Sequence, residues 1–558
     1  MVTTLSKTLS LLSHGAAGAV QNGRQLDDIA LYLNTPRPIE QALIDKMAEI
    51  DELGGGVVLL IGNAGDGKSH LISRLKALGK LSSFESYNDA TASCSPELTA
   101  VDTLKLALSD FSDKTIDTTH RKLLLAINLG KLNAFVEDEE VKQKYSLFVS
   151  LANDVFLNQP SEVVKGHHIR YVTFSNQQIF EILPEEKQDY PVSSVFLETL
   201  LNKIVEPNSE NPFYLAYQKS LKEISGFDPT IINYELLQLC SVRKTIISLI
   251  IEAVVRFKLL VTPRDFLDFI YSIVVFKESE KYVEMKHFFD SLLPTRLFSS
   301  GSNKIQKALA LLDPIKCSSV EHDKMLAILY TSRTVLEQYI VFEETNSAIS
   351  TIIDRVNFFY LDHGLHSDII TKLLFRLHHL QDYHSESETY KRFINLIASF
   401  NNKKKHSSVI NDLDSLVLKC IPRHFGSYYD EENLVPLDIQ GSKYRLFSSI
   451  TMDIQDTPST FEASKPSEFF LSINLAWEIE GKDHVCHLRF DYVLYEYLCS
   501  LADGRLSISF ESERNLEFSR FVRELIDFSN ANRSIVILTT DKQRKTLRTK
   551  VHDKISLS

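Results

Sequence analysis

The stretch at residues 57–71, VVLLIGNAGDGKSHL, holds the residue types and spacing best suited to chemistry. Gly62, the four residues Asn63, Ala64, Gly65 and Asp66, then Gly67, Lys68 and Ser69 match the spacing of a loop that cradles phosphate. A strand-like apolar run at 57–61 precedes the loop and a helix-like run at 70–78, opening on His70, follows it. Glycines at 62, 65 and 67 let successive main-chain N–H groups turn inward on an anion, and the start of the following helix adds its positive dipole end. Lys68 would reach the outer phosphates as a point charge, and the Ser69 hydroxyl would sit on Mg²⁺. Residues 62–70 therefore imply a nucleoside triphosphate, taken as ATP, held with Mg²⁺. The plain alternative is a tight strand-to-helix turn with incidental glycines.

Hydrolysis needs more than the loop: a carboxylate for Mg²⁺ or water, a polar group to orient that water, and an arginine for the developing charge. Asp89 follows the segment FESYN and would lie at the C-terminal end of a strand, where ligands of parallel sheets bind. It reads equally as the cap of the next turn. Asn128 ends the buried run LLLAIN, in the manner of the water-orienting sensor asparagine of AAA+ ATPases, or else makes an Asx-turn at a strand end. Arg264, in TPRDFLDFIYSIV, looks like the sensor arginine of an AAA+ lid. Arg243, in CSVRKT, could act in the same chain or as a finger from a neighbouring subunit, and either arginine could instead be a surface or cap residue.

The elements that must position these groups follow from periodicity. Residues up to about 55 are predicted helical, with a break in NTPRPIEQALIDKM where Pro36 stops one helix and Pro38 opens the next. Strand candidates at 84–91 and 169–176 alternate with helical stretches, which predicts an α/β core with a parallel sheet. From about 215 to 400 the pattern is helical, with helices joined at VTPRD, where Thr262 can cap and Pro263 take the first turn. The segment FNNKKKHSSVINDL at 400–413 is predicted as a polar surface loop. Beyond about 440 the period becomes two, with a hairpin signal at EGKD and a further strand in RSIVILTTDKQRKTLRTKV. The expected organisation is an α/β P-loop NTPase (AAA+-like) core with N-terminal helices at 1–215, a helical lid at 216–300, a helical domain at 301–435 and an α+β C-terminal domain at 436–558.

Composition bounds the partners. A chain of 558 residues is too long for one core. At 44% hydrophobic and 24% charged it has the balance of a soluble globular protein, and a net charge of −12 argues against indiscriminate coating of nucleic acid. Six scattered cysteines without a C-x-x-C pair argue against a zinc ribbon or disulfide framework and for a reducing cytoplasm. The most apolar stretch, 245–261, carries Glu252, Arg256 and Lys258 and is predicted to be a buried helix, not a membrane span. Lys542, Arg544, Lys545, Arg548, Lys550 and Lys554 form the densest basic run, which reads as a solvated face or as a DNA contact.

Several stretches taken in order, YLNTPRPIEQAL, GNAGDGKSHL, YNDATAS, AINLGKL, TPRDFLDFIYSI, LLDPI and FDYVLYEYLCSLADG, resemble the DptF (DndF) family of bacterial DNA phosphorothioation-dependent restriction. The resemblance runs from about residue 30 to about 505. It implies an ATPase subunit that acts with companion restriction proteins of DptG and DptH type on DNA lacking the phosphorothioate mark, reaching DNA through that complex; the residues alone point to an oligomer with no membrane partner. The Walker B acid is not in the usual run of four apolar residues, and the basic C-terminal run has no counterpart in the family. Without the resemblance, the residues support a P-loop ATPase whose turnover drives remodelling, or an ATP-binding switch that controls assembly with slow turnover. No nuclease motif is present, so cleavage would belong to a partner.

Overall fold

The computed structural model describes residues 3–13, 29, 31–35, 37–63, 65–87, 99–156, 163–174, 179–182, 191–223, 227–276, 285–316, 320, 323–324, 327, 346–363, 368–381, 383, 387–400, 405–424, 434–437, 444–455, 471–480, 484–505, 515–529, 534–539, 544–550 and 554–557. The chain divides into two compact units. The first comprises 1–179, 194–253 and 259–384, and the second 180–193, 254–258 and 385–558.

Four parallel strands form the sheet of the first unit: β1 (Gly56–Gly62), β2 (Glu85–Tyr87), β3 (Lys122–Asn128) and β4 (Ile169–Thr173), in the order β2-β3-β1-β4. The central strands β1 and β3 are apolar on both faces because the sheet is covered on both faces there. Val57, Leu59, Ile61, Leu123, Leu125 and Ile127 point to one side, against helices contributing Leu104, Leu132, Phe135 and Phe148. Val58, Leu60, Leu124 and Ala126 point to the other, against α1 (Pro38–Leu53) and α2 (Lys68–Ala77).

Helix α1 starts where the sequence requires it. Pro38 occupies its first turn, and Gly54 ends it with φ of +83°. Ile39, Leu43, Met47 and Ile50 recur at helical spacing and are buried against the sheet, so Leu43→Ala would cost roughly 2–5 kcal/mol. Helix α3 (Leu129–Glu137) follows β3 directly.

The helical part of the first unit includes α4 (Pro229–Gln238), α5 (Cys240–Phe257), whose last four residues belong to the second unit, and α6 (Pro263–Val274). The apolar run at 245–261 is helical only to Phe257, because Lys258 adopts φ of +52° and stops it. Asn233, fully buried, joins the helical layer: its amide donates to the carbonyls of Val274 (3.1 Å) and Ser291 (2.9 Å) and its oxygen accepts from the Leu293 N–H (2.6 Å). An interior amide with these bonds satisfied is stabilising, and one left without them is costly.

The second unit carries the period-two segments. β5 (Glu181–Ile182) and β6 (Val192–Ser193) form a short antiparallel ladder. The strands β7 (Leu434–Pro436), β8 (Tyr444–Ser449), β12 (Ser534–Thr539), β13 (Arg544–Lys550) and β14 (Lys554–Leu557) form one sheet, and β9 (Met452–Ile454), β10 (Ser472–Ile479) and β11 (Val485–Asp491) another. The hairpin read at EGKD is the β10–β11 pair. The C-terminal basic segment is more than the one strand expected there: it pairs back on β12 and forward to β14.

Residues 406–413, predicted as loop, belong instead to helix α7 (His406–His424). The basic run dominates the local composition, but Val409, Ile410, Leu413, Val417, Cys420 and Ile421 recur at helical spacing and are buried. Helix α8 (Leu516–Phe528) buries Phe518, Phe521, Val522 and Leu525 in the same unit. Among the described residues no helix is long and apolar enough to cross a membrane, and Cys240, Cys420, Cys486 and Cys499 are free.

Candidate functional site

The glycine-rich loop leaves the C-terminal end of β1 with neighbours on both sides. Gly62 is in register with Asn128 at the end of β3, and Ile61 with Thr173 at the end of β4. In the order β2-β3-β1-β4 the chain leaves β1 toward β2 and later returns to β4 on the opposite side. Such a reversal places a crevice at the strands' carboxyl ends, the usual ligand position of open parallel sheets.

Within the loop, the glycines have specific work. Gly65 and Gly67 adopt φ of +90° and +93°, which a side chain would strain. A Cβ on Gly67 would come within 2.9 Å of the Arg37 guanidinium, and one on Gly62 within 2.8 Å of the Asp66 carboxylate and 2.9 Å of the Phe174 ring. Gly67 precedes α2 without a side-chain cap bond, so the first turn of α2 keeps main-chain N–H groups for other acceptors.

Charge is concentrated on this loop. The Lys68 ammonium donates to the carbonyls of Gly62 (3.0 Å) and Asn63 (2.6 Å). The Asp66 carboxylate accepts from the Asn63 N–H at 2.5 Å. Burial raises the Asp66 carboxyl above its usual range, and the Asn63 bond, Lys68 and Arg37 only partly offset it. Ser69 is exposed on the first turn of α2; Ala64 and the His70 side chain lie outside the described residues.

Arg37 is a member of the site that sequence reasoning missed. Its guanidinium donates to the Asp66 carbonyl at 2.8 Å and lies 4.8 Å from the centroid of the Phe174 ring and 5.6 Å from that of Phe196. Burial lowers its pKa, opposed by Asp66 and Glu40. The signal was present in PRP: Pro38 at the first helical position fixes Arg37 as the residue at the α1 N-terminus. Its ring partners lie more than a hundred residues downstream.

The structure also brings the start of α6 to the loop. A Cβ on Gly65 would be 3.2 Å from the Thr262 hydroxyl and 3.7 Å from the Arg264 Cβ, across nearly two hundred residues of sequence. A reciprocal capping box fixes this helix start: the Thr262 hydroxyl accepts from the Asp265 N–H, and the Asp265 carboxylate accepts from the Thr262 N–H at 2.9 Å. Lys304 pairs with Asp265 at 2.7 Å. Burial acts to raise the Asp265 carboxyl, but bonds from Lys304 and Thr262 outweigh it and hold it below the usual range. Arg264 itself is exposed.

Other sequence candidates are placed differently. Asn128 is level with the loop, but its Oδ1 accepts from the Lys131 N–H at 2.8 Å and so caps α3. Arg243 donates to the carbonyls of Leu237 (3.3 Å) and Gln238 (2.5 Å), serving the C-terminal end of α4. Asp89 lies outside the described residues, two positions beyond the end of β2.

Comparison with models of known families, with curated proteins and with solved structures finds no match to this chain.

Proposed function

We propose that the chain is a P-loop ATPase, AAA+-like in its first unit, that binds ATP with Mg²⁺ at residues 62–70. The observation that carries this reading is the convergence on the loop of the Thr262–Arg264 helix start. A loop of this spacing alone is a phosphate cradle; with an exposed arginine beside it, the site has a group for charge that develops on a transferred phosphoryl.

The residues fit their roles chemically. Lys68 donates to two main-chain carbonyl oxygens of the loop, and phosphate oxygens can replace them as acceptors. The hydroxyl of Ser69, an exposed residue on the first turn of α2, is the group of the loop suited to hold Mg²⁺, which would supply charge neutralisation for the phosphates. Asn128 sits where an amide could orient water while its oxygen caps α3. Arg264 contributes charge stabilisation, and Asp89 is the proposed acid. Arg243, spent on α4, is set aside as a same-chain participant.

Ordered resemblance to the DptF (DndF) stretches supports a setting for this ATPase: a subunit of a phosphorothioation-dependent restriction complex, oligomeric and cytoplasmic, with DptG- and DptH-like companions and DNA reached through them. The test is ATP titration and turnover of the full chain beside Lys68→Ala, with and without unmodified DNA. Loss of the ammonium should weaken ATP by roughly 10- to 100-fold, the scale of hydrogen bonds to charged groups. Unchanged affinity overturns the loop assignment. Tight binding without turnover under every condition would assign the chain to the switch class.

A further inference from the structure

We propose that His484, Cys486 and Glu524 form a zinc site in the second unit, separate from the glycine-rich loop. Their ligand atoms all lie within 4.8 Å of one another, and among the described residues this is the only such group of three or more His, Cys, Asp and Glu side chains. One imidazole, one sulfur and one carboxylate make a donor set suited to Zn²⁺, whose bonds of about 2.0–2.3 Å in tetrahedral geometry require ligand atoms roughly 3.5 Å apart. Small side-chain shifts would reach that spacing.

The scaffold holds the three donors from two directions. His484 and Cys486 are two residues apart on extended chain, which places both on one face of β11 and its entry. Cys486 is opposite the buried Trp477 in β10, and the Trp477 indole N–H donates to Asp414 at 2.6 Å, so the thiol stands on a fixed floor. Glu524 comes from α8, on the edge of the apolar face made by Phe521, Val522 and Leu525. The His484 ring stacks on Phe528 at 3.9 Å and meets the Glu524 carboxylate at 2.6 Å through Nε2. Pre-set ring orientation and rigid strand and helix supports are what a metal site needs.

Charge balance favours a divalent cation. With neutral imidazole, thiolate and carboxylate, bound Zn²⁺ brings the group to zero net charge, and binding releases the thiol proton to solvent. Cys486 is fully buried, whereas His484 and Glu524 are about one-third exposed, so an ion can arrive from the solvent side. Three protein donors leave a fourth position for water, the open arrangement of a zinc site able to bind or activate a ligand.

The test uses the full chain, stripped with chelator and titrated with Co²⁺ as a spectroscopic probe, followed by Zn²⁺ competition and elemental analysis. One equivalent of Co²⁺ should give a near-ultraviolet thiolate charge-transfer band that Zn²⁺ abolishes. Cys486→Ser should remove the band, and Glu524→Gln should weaken Co²⁺ by more than the ~10–100-fold seen when an outer partner of a ligand is lost. Circular dichroism of the metal-free variants checks that each remains folded. No thiolate band in the folded wild-type chain, or a band that persists in Cys486→Ser, overturns the site.

Discussion

At the carboxyl edge of the parallel sheet, charged side chains hold main-chain atoms of the loop, whereas in the second unit the buried His424 meets two hydroxyls. Lys68 and Arg37 rest on carbonyls of residues 62, 63 and 66. His424 is 3% exposed, with Nδ1 at 2.6 Å from the Tyr497 hydroxyl and Nε2 at 3.1 Å from that of Ser519. The Tyr497 and Phe518 rings meet it edge-on. The first arrangement keeps formal charge on bonds that an anion could take over. The second is complete in itself and depends on the imidazole staying neutral. The proposed anion loop and the core imidazole differ in that respect, and each can be tested by disturbing one charge.

The largest effect is expected at Arg264. Its exposure means Arg264→Ala should change stability by less than about 0.5 kcal/mol, the usual range for surface substitutions. If it stabilises developing charge, single-turnover ATP hydrolysis should fall by roughly 10²- to 10³-fold. Normal turnover would reduce Arg264 to a surface residue at a helix start and leave the loop without its proposed charge partner.

His424 sharpens the other side of the comparison. Burial lowers its pKa from 6.5 to about 4, so the unfolded chain takes up a proton before the folded one does. The sign follows: its contribution is full above pH 6.5, and stability is lost as pH falls from there through about 4. That window is worth on the order of 3 kcal/mol. Denaturant unfolding followed in the second unit between pH 7 and 4, compared with His424→Gln, should show the difference in slope. Parallel pH profiles for the two proteins would mean that His424 does not remain neutral in the fold.

Sequence periodicity made much of this molecule legible. The β1 run, the loop, the Thr262 cap and the β10–β11 hairpin are local, each set by residues within a few positions of one another. Arg37 was not legible as a site residue because its partners Phe174 and Phe196 are distant in sequence and meet it only after the sheet forms. Residues 406–413 were misread because the lysines before them outweighed an apolar spacing that continues to Ile421. No local pattern encodes the approach of Thr262 and Arg264 to Gly65; the expectation at Arg264 rests on its likeness to the sensor arginine of an AAA+ lid.

Arg37 gives an intermediate effect. Arg37→Lys keeps a positive charge but loses the planar guanidinium that faces two rings and reaches the Asp66 carbonyl. A loss of about 1–2 kcal/mol in thermal unfolding of the first unit is expected, with weaker ATP binding as the loop loosens. Equal stability and affinity would show that the ring contacts are incidental.

The smallest effect, at Asn128, separates a ligand role from a core role within one residue. Its oxygen caps α3, so Asn128→Ala should cost about 1 kcal/mol of stability, whereas Asn128→Ser can keep a cap and should cost little. Neither change removes a charge from the loop, so ATP affinity should be nearly equal in both. The amide nitrogen is the part that serine cannot supply. If that group orients water, both variants should lose turnover, because an interaction made in the transition state is missing from each. Unfolding and single-turnover hydrolysis measured on the same two proteins decide the matter. Full activity in Asn128→Ser, with reduced stability only in Asn128→Ala, would make Asn128 a helix cap and move the water-orienting role elsewhere on the crevice.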